Sequence, residues 1–375
     1  MKPAVSVVIP IYREGFLLSE TLDSVLAQTF QDYEIVLVDN NATQTTKQIA
    51  QQYLTLYPNK IRLLQENEQG VCSARNTGIR AAKADLIAFL DADDLMKPTR
   101  LEKQCAILNG RNDLSLVSSY IDKISHDSKA ILAHKIGDSI FCQELKKELL
   151  KVFKNNFNPP YLNTFHYPYP STWLVRKDKI IQAGLFDIRL NPRLHEDNEI
   201  LPRIFRQGGF INIPESLVEY RSETEKTRIS KNKDLNMKRL HHDQTYFFLL
   251  WNQFGDSHPD NQRIFRRILV LFLRNLGVTC MKYSNGQKLG RKLFIRTLLL
   301  PPSPLLGLKL FLKTFLPRSY YHRLFWFEQN KPLDKIDSRI DGDFLKTYLS
   351  WPPSLPEYVN NGNATAKEVS YAPMK

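Results

Sequence analysis

The stretch Leu86-Ile-Ala-Phe-Leu-Asp-Ala-Asp-Asp94 constrains this chain more than any other. Its first five residues are apolar without a break, which reads as a strand buried on both faces, Leu86 to Leu90. Asp91, Asp93 and Asp94 follow at once. Strands of this kind belong to parallel α/β sheets, which bind ligands beyond the carboxyl ends of their strands. Asp91 and Asp93 project to one side, because side chains alternate with period two. Two carboxylates on one side repel unless a cation lies between them. Oxygen ligands suit Mg2+ or Mn2+, which usually keep a substrate phosphate in their shell. A solvated acidic turn opening a helix at Lys97-Pro98 would explain the same residues, so the neighbouring sequence has to decide.

Upstream, the pattern repeats strand, helix, strand, helix. Val5 to Ile11 is a short apolar strand, and Leu18, Leu22, Val25 and Leu26 have helical spacing. Glu34 to Asp39 is a second buried strand ending in an acid. Thr43 to Tyr57 reads as a helix stopped at Pro58-Asn59, Ile61 to Leu64 as a strand, and Val71 to Ala82 as a helix with small residues at Ser73, Ala74 and Gly78. A helix from Pro98 to Leu108 and a strand from Leu116 to Ile121 follow the acidic stretch. This alternation predicts a parallel sheet with right-handed crossovers, and residues 1–121 read as a nucleotide-binding half. Residues 122–227 are less regular. They hold a helix at Glu144–Phe153, an Asn-, Pro- and aromatic-rich loop from Asn155 to Pro170, and a strand at Ser171–Val175. His195-Glu196-Asp197 then opens a helix that runs to Gln207, and strands follow at Phe210–Ile213 and Leu217–Tyr220. Residues 228–350 read as mainly helical, and 351–375 as a disordered polar tail.

Three acidic sites thus end or open elements: Asp39, the Asp91 group and Glu196-Asp197. An acid ending the second strand of a parallel half often binds a ribose or base. Glu196 and Asp197 would also suit a plain helix N-terminus, where acids favour the dipole. Neither common Gly-rich phosphate loop occurs, which excludes an ordinary dinucleotide or P-loop domain. The four cysteines are scattered without metal-ligand spacing, which suits a reducing compartment. The strand pattern begins within five residues of Met1, leaving no room for a secretory signal. The longest apolar run, Ile268 to Leu273, is far short of the ~20 residues of a spanning helix.

Val5-Ser-Val-Val-Ile-Pro-Ile-Tyr12, Glu34 to Asp39, Gly70-Val-Cys-Ser-Ala-Arg-Asn-Thr-Gly78 and Phe89-Leu-Asp-Ala-Asp-Asp94 together resemble family 2 glycosyltransferases. Gly184-Leu-Phe-Asp187, His195-Glu-Asp197, Arg203 and Tyr220-Arg221 fit the same order, so the resemblance covers residues 3–225. It implies an α/β GT-A fold, Rossmann-like, with a mostly parallel sheet flanked by helices, as a catalytic domain over 1–227. A mainly α-helical C-terminal region would follow. It implies inverting transfer of a single sugar from a nucleotide-diphosphate sugar, expected to be a UDP-sugar, to a glycan or lipid-linked acceptor, with Mn2+ or Mg2+ as cofactor. Pro10, Tyr12 and Glu14 would line the base pocket, and Asp39 would bind the base edge. Arg75 would approach the base and diphosphate, Asp91 the ribose or sugar, and Ala92 would line the same site. Asp93 would hold the metal. Asp197 would be the general base, with Glu196 beside it. Arg203 and Arg221 would act there or serve the structure.

The chain departs from the family in three places. Asn40-Asn41 stand where a small hydroxyl residue is common, no His occurs near Glu223, and the processive Q-x-x-R-W motif is missing. The second departure puts a third metal ligand in question, and the third points to single-sugar transfer. A sugar-nucleotide pyrophosphorylase is the enzymatic alternative, but it would carry a Gly-rich basic loop after the first strand, where Tyr12-Arg13-Glu14 stand. A membrane-surface adaptor on a dead transferase fold is the other alternative, disfavoured because Asp39, Asp91, Asp93 and Asp197 are all present.

The net charge of +13 comes from one segment: residues 261–327 carry thirteen Lys or Arg and no acid. A solvated basic face and a nucleic-acid surface are both conceivable, but nothing resembles a nucleic-acid reading motif. The interleaved Leu, Phe, Trp and Tyr favour an anionic membrane surface, with the chain cytoplasmic and peripheral on the inner face.

Overall fold

The computed structural model describes residues 2–125, 131–133, 147–149, 151–152, 169–191, 196–221, 237–255, 258–281 and 287–298. His195, most of the 144–168 stretch, residues 299–327 of the basic segment and the 351–375 tail lie outside them.

The apolar runs form the strands that their composition requires. β1 (Val5–Ile11), β2 (Tyr33–Asp39) and β4 (Leu86–Phe89) are buried along nearly their whole length, and β3 (Ile61–Gln65) forms the sheet edge. They pair in parallel in the order β3-β2-β1-β4. α1 (Leu17–Leu26), α2 (Gln44–Leu56) and α3 (Val71–Ala81) are the crossovers. Period two divides the strands between two cores. Val7, Ile9, Ile35 and Leu37 join Leu18 and Leu22 of α1 on one face, while Val8, Val36 and Val38 join Ala74 and Ile79 of α3 on the other. Burying each such side chain stabilises the fold by about 1.5–3 kcal/mol. α3 lies so close to the sheet that a Cβ at Gly78 would stand 2.3 Å from Val8 Cγ1.

The second half brings antiparallel strands into the mostly parallel sheet. β5 (Leu95–Met96), β6 (Leu114–Ile124), β7 (Ile131–Ala133), β8 (Leu174–Arg176) and β9 (Gly209–Arg221) extend the sheet to β3-β2-β1-β4-β8-β6-β9-β5, with β7 on β6. β8 is antiparallel to both β4 and β6 and separates them. The Arg176 guanidinium fixes its end by donating to the carbonyls of Leu108, Arg111 and Leu114. Ser171 is not in a strand: a short 3-10 turn, Pro170–Thr172, leads into β8. The two strands expected at 210–220 are one, β9, whose pairing with β6 is irregular between Ser119 and Ile121, opposite exposed Pro214 and Glu215.

α4 (Arg100–Gly110), α5 (Lys177–Gln182) and α6 (Glu196–Phe205) flank the sheet. α7 (Met237–Phe254), α8 (Asn261–Cys280) and α9 (Gln287–Leu298) follow. Tyr246, Phe247, Phe265, Phe272 and Leu293 of these helices share one apolar cluster with Ile200, Leu201 and Ile204 of α6, and Phe294 is buried as well. The aromatic residues of the described basic segment therefore serve the core. Among the described residues, no helix is long and apolar enough to cross a membrane.

Candidate active site

Strand directions define where chemistry can gather. β8 is antiparallel to β4 and to β6, and β9 is parallel to β6. The carboxyl ends of β1, β2, β4, β6 and β9 and the amino end of β8 therefore share one sheet edge. Every acidic site of the sequence analysis that terminates a strand lies along it.

At the end of β2, Asp39 is buried. Its Oδ1 accepts from Ala42 N at 2.8 Å, and Lys47 Nζ approaches its other oxygen at 3.2 Å. Asn40 acts as a strut. Its Nδ2 donates to the carbonyls of Glu66 and Glu68, and its Oδ1 accepts from Gly70 N at 2.7 Å, holding the β3–α3 turn in place. At the end of β1, Tyr12 and Glu14 are half-buried, with Arg13 stacked 4.6 Å over the Tyr12 ring. Glu14 accepts from Tyr12 N at 2.6 Å, and burial pushes its carboxyl up to about 7, with the Asp93 charge adding to the effect.

Beyond β4 the three aspartates separate in role. Asp94 is fully buried, accepts from Ser171 Oγ at 2.6 Å and from Arg221 N at 3.0 Å, and is pushed well above the ordinary carboxyl range by burial and by Asp93 and Asp91. It is a structural link. Asp91 and Asp93 are more open. Arg221 serves the loop, donating from Nε to Asp93 O at 2.8 Å and from Nη2 to Glu20 at 2.8 Å. Arg203 is buried against Glu199 on α6 and the Ala183 carbonyl, away from this edge.

Arg75 joins the two remaining acidic sites. It is buried in α3, donates from Nη2 to Asp91 at 2.8 Å and from Nη1 to Glu196 at 3.0 Å, and lies 5.3 Å over the Phe186 ring. Charge-assisted bonds of this kind are roughly twice as strong as neutral ones. The Asn76 amide exchanges hydrogen bonds with Phe186 N and O, at 2.9 and 2.8 Å. Asn191 Oδ1 accepts from Cys72 N at 3.0 Å, capping α3, whose own N-cap is Gly70. α3 is thus fastened to the segment that leads into α6. Asp197, on the first turn of α6, is more open than Glu196. Ser171 and Asn191 carry no sequence signal of their own, whereas Asn76 and Phe186 lie inside motifs already quoted. The GLFD segment that leads to Asn191 is the nearest hint.

A divalent cation fits the donor set. Burial, with the Asp93 charge adding to it, raises the carboxyls of Glu14 and Asp94, which leaves Asp91 and Asp93 as the more open oxygen donors of the loop. Among the described residues there is no cluster of three or more His, Cys, Asp or Glu arranged for a metal. One or two carboxylates, completed by substrate phosphates, are what Mg2+ or Mn2+ commonly takes.

A mixed sheet with its acids on one edge, flanked by helices and followed by a helical region, is the GT-A class. The sequence profile of Glycosyl transferase family 2 matches residues 6–182. The chain is 26% identical over 267 residues to chondroitin synthase of Escherichia coli, covering 65% of this chain and 39% of that protein. It is 33% identical over 223 residues to the uncharacterized glycosyltransferase EpsJ of Bacillus subtilis, covering 59% of this chain and 62% of the relative. The chain thus spans less than two thirds of the length of either relative. In fold it is similar to S. aureus TarS 1-349 solved with UDP-GlcNAc, with TM-score 0.56 and 16% identity over 87% of this chain and 88% of that one.

Proposed function

We propose that the chain is an inverting glycosyltransferase that moves one sugar from a UDP-sugar to a hydroxyl of a glycan or lipid-linked acceptor. The observation that carries the reading is the Asp91–Arg75–Glu196 array, in which one buried cation binds the acid after β4 and the acid opening α6. It ties a donor side to an acceptor side across the sheet edge. Asp197 is the general base: its carboxylate takes the proton of the attacking hydroxyl. Glu196, turned toward Arg75, is a positioning residue. Pro10, Tyr12, Glu14 and Asp39 receive the nucleotide, and Ala92 lines the site beside Asp91. A divalent cation bound by Asp93 would offset the charge that develops on the leaving diphosphate. The UDP assignment follows TarS, whose structure holds UDP-GlcNAc.

Calorimetric titration with UDP, GDP, CDP and dTDP, each with and without Mn2+, tests the donor class. UDP alone should bind tightly, and only with metal. Asp93→Asn should lose that binding, whereas Asp197→Asn should keep it and lose transfer. Binding of no diphosphate would refute the reading, and normal turnover of Asp197→Asn would refute the base assignment.

Docking on an anionic membrane, with the chain peripheral on the inner face, is part of the same proposal. Because Phe265, Phe272 and Phe294 are in the core, the described contribution is electrostatic, through exposed Arg263, Lys288 and Lys292. Vesicles containing phosphatidylserine should sediment the protein at low salt and release it at high salt. Equal sedimentation with phosphatidylcholine vesicles would count against docking.

A further inference from the structure

We infer that Tyr169 and Tyr220 form the stacking surface for a pyranose ring of the acceptor, an inference that rests on the glycosyl-transfer reading above. The two rings lie 5.3 Å apart at centroid with 35° between their planes, and both side chains are half-buried. Their position follows from the sheet. Tyr220 ends β9, and Tyr169 precedes the turn into β8, so both stand on the edge that carries Asp39 and Asp91.

Their face follows from alternation. The Arg221 guanidinium reaches Glu20 of α1, so Tyr220, its neighbour in the strand, projects to the opposite face, that of α3 and α6. That face carries Arg75, Glu196 and Asp197.

One buried group fixes the spacing of the pair. Asp94 accepts from the backbone N–H next to Tyr220 and from the hydroxyl of Ser171, two residues after Tyr169. The Tyr169 carbonyl is held in addition by Thr172 N at 2.8 Å and Thr172 Oγ1 at 2.7 Å. The third aspartate of the acidic stretch thereby joins the metal loop to the aromatic pair.

The order of strands assigns the pair to the acceptor. Along the edge the succession is β2, β1, β4, β8, β6, β9. The proposed base pocket lies at β1 and β2, and the acidic loop runs from the end of β4 across to β5 beside β9, so the tyrosines at β8 and β9 stand against the far end of that loop. A molecule stretched along the edge meets nucleotide residues, then metal and donor-sugar residues, then the aromatic pair. The chemistry matches. An aromatic face is electron-rich, and a pyranose with equatorial hydroxyls presents a face of polarised axial C–H bonds. At 5.3 Å and 35° the two rings overlap in an offset stack, so it is the outward face of the pair that a pyranose would meet. Lys123 is in register with Tyr220 on the neighbouring parallel strand, on the same face and half-buried, ready to donate to a ring oxygen or hydroxyl at its rim.

Saturation-transfer NMR on the full chain with UDP and Mg2+ tests this, using methyl β-D-glucopyranoside, methyl β-D-galactopyranoside and their 2-acetamido analogues as probes. At least one should show saturation concentrated on its axial ring protons. Tyr169→Leu and Tyr220→Leu, which keep apolar bulk but remove the π face, should weaken that signal at least fivefold. Tyr220→Phe should retain it, and UDP affinity by calorimetry should stay within twofold in all three. Undiminished saturation in the Leu variants, or no saturation of any probe in UDP-bound wild type, would overturn the platform while leaving the transferase reading intact. A parallel loss of UDP affinity would assign the pair to the donor and overturn the acceptor role. Failure of wild type to bind UDP would remove the parent reading itself.

Discussion

Replacing Arg75 by Met keeps the length of the side chain and deletes its charge. Two carboxylates then lose their shared partner. Their side chains are 7% exposed at Glu196 and 15% at Asp91, so water replaces little of what is lost. Removing one member of a buried ion pair costs about 3–5 kcal/mol, and the contact with the Phe186 face adds about 0.5–2 kcal/mol. At about 2–4 °C per kcal/mol for a domain of this size, the melting temperature should fall by about 7–28 °C. A double-mutant cycle separates the pair from general damage. Glu196→Gln alone should cost about 1–2 kcal/mol, because the neutral amide still accepts a hydrogen bond. Added to Arg75→Met it should cost nothing further, since it removes the orphaned charge, which gives a coupling of about 1–2 kcal/mol. Urea denaturation of the four proteins provides the numbers. Costs that add to within about 0.5 kcal/mol would refute the view that Arg75 acts by neutralising Glu196.

Gly78→Ala should destabilise by about 1–3 kcal/mol, despite a helix-propensity gain of about 1 kcal/mol, because the new methyl meets buried Val8; the urea midpoint reports it. Asn40→Ser is too short to span to Glu66, Glu68 and Gly70 and should cost about 1–3 kcal/mol in the same assay. Glu14 provides a pH signature. Burial raises its carboxyl to about 7 from 4.5, so the folded state holds an extra proton between those values. Stability from this group is full below pH 4.5 and lost as the pH rises through 7, which melting curves of metal-free protein should show and Glu14→Gln should flatten.

The first four strands were legible because each is an apolar run bounded by turn residues, and because an acid marks the carboxyl ends of β2 and β4. What the runs do not encode is who lies beside whom. Leu174, Val175 and Arg176 are too few to declare a direction, so the antiparallel insertion of β8 was invisible. β5, two residues long inside the acidic stretch, has no period to detect. In β9 the exposed Pro214-Glu215 pair looks like a break, and long-range pairing with β6 carries the strand through it. The acids of the site were evident, but their sorting was not. Asp94 and Asp91 differ by three positions, and only the approach of Ser171, Arg221 and Arg75 makes one a buried link and the other the more open partner of Arg75. In the described part of the basic segment, Phe265, Phe272 and Phe294 are buried, which a count of charges and aromatics does not reveal.

The cap on α3 has a consequence for synthesis of the chain. Cys72 N is satisfied by Asn191, which lies 119 residues downstream. At roughly 5–20 residues per second, a ribosome needs about 6–24 s to make that interval. Throughout it the nascent helix begins without its cap, and the β4 edge that will receive Leu174–Arg176 is open. A stall or a rare-codon cluster before residue 191 would prolong this window and expose the emerging sheet to other chains. Residues 1–121 can be drawn as a unit, but their sheet edge and the cap of α3 are completed only once the chain has been made through Asn191.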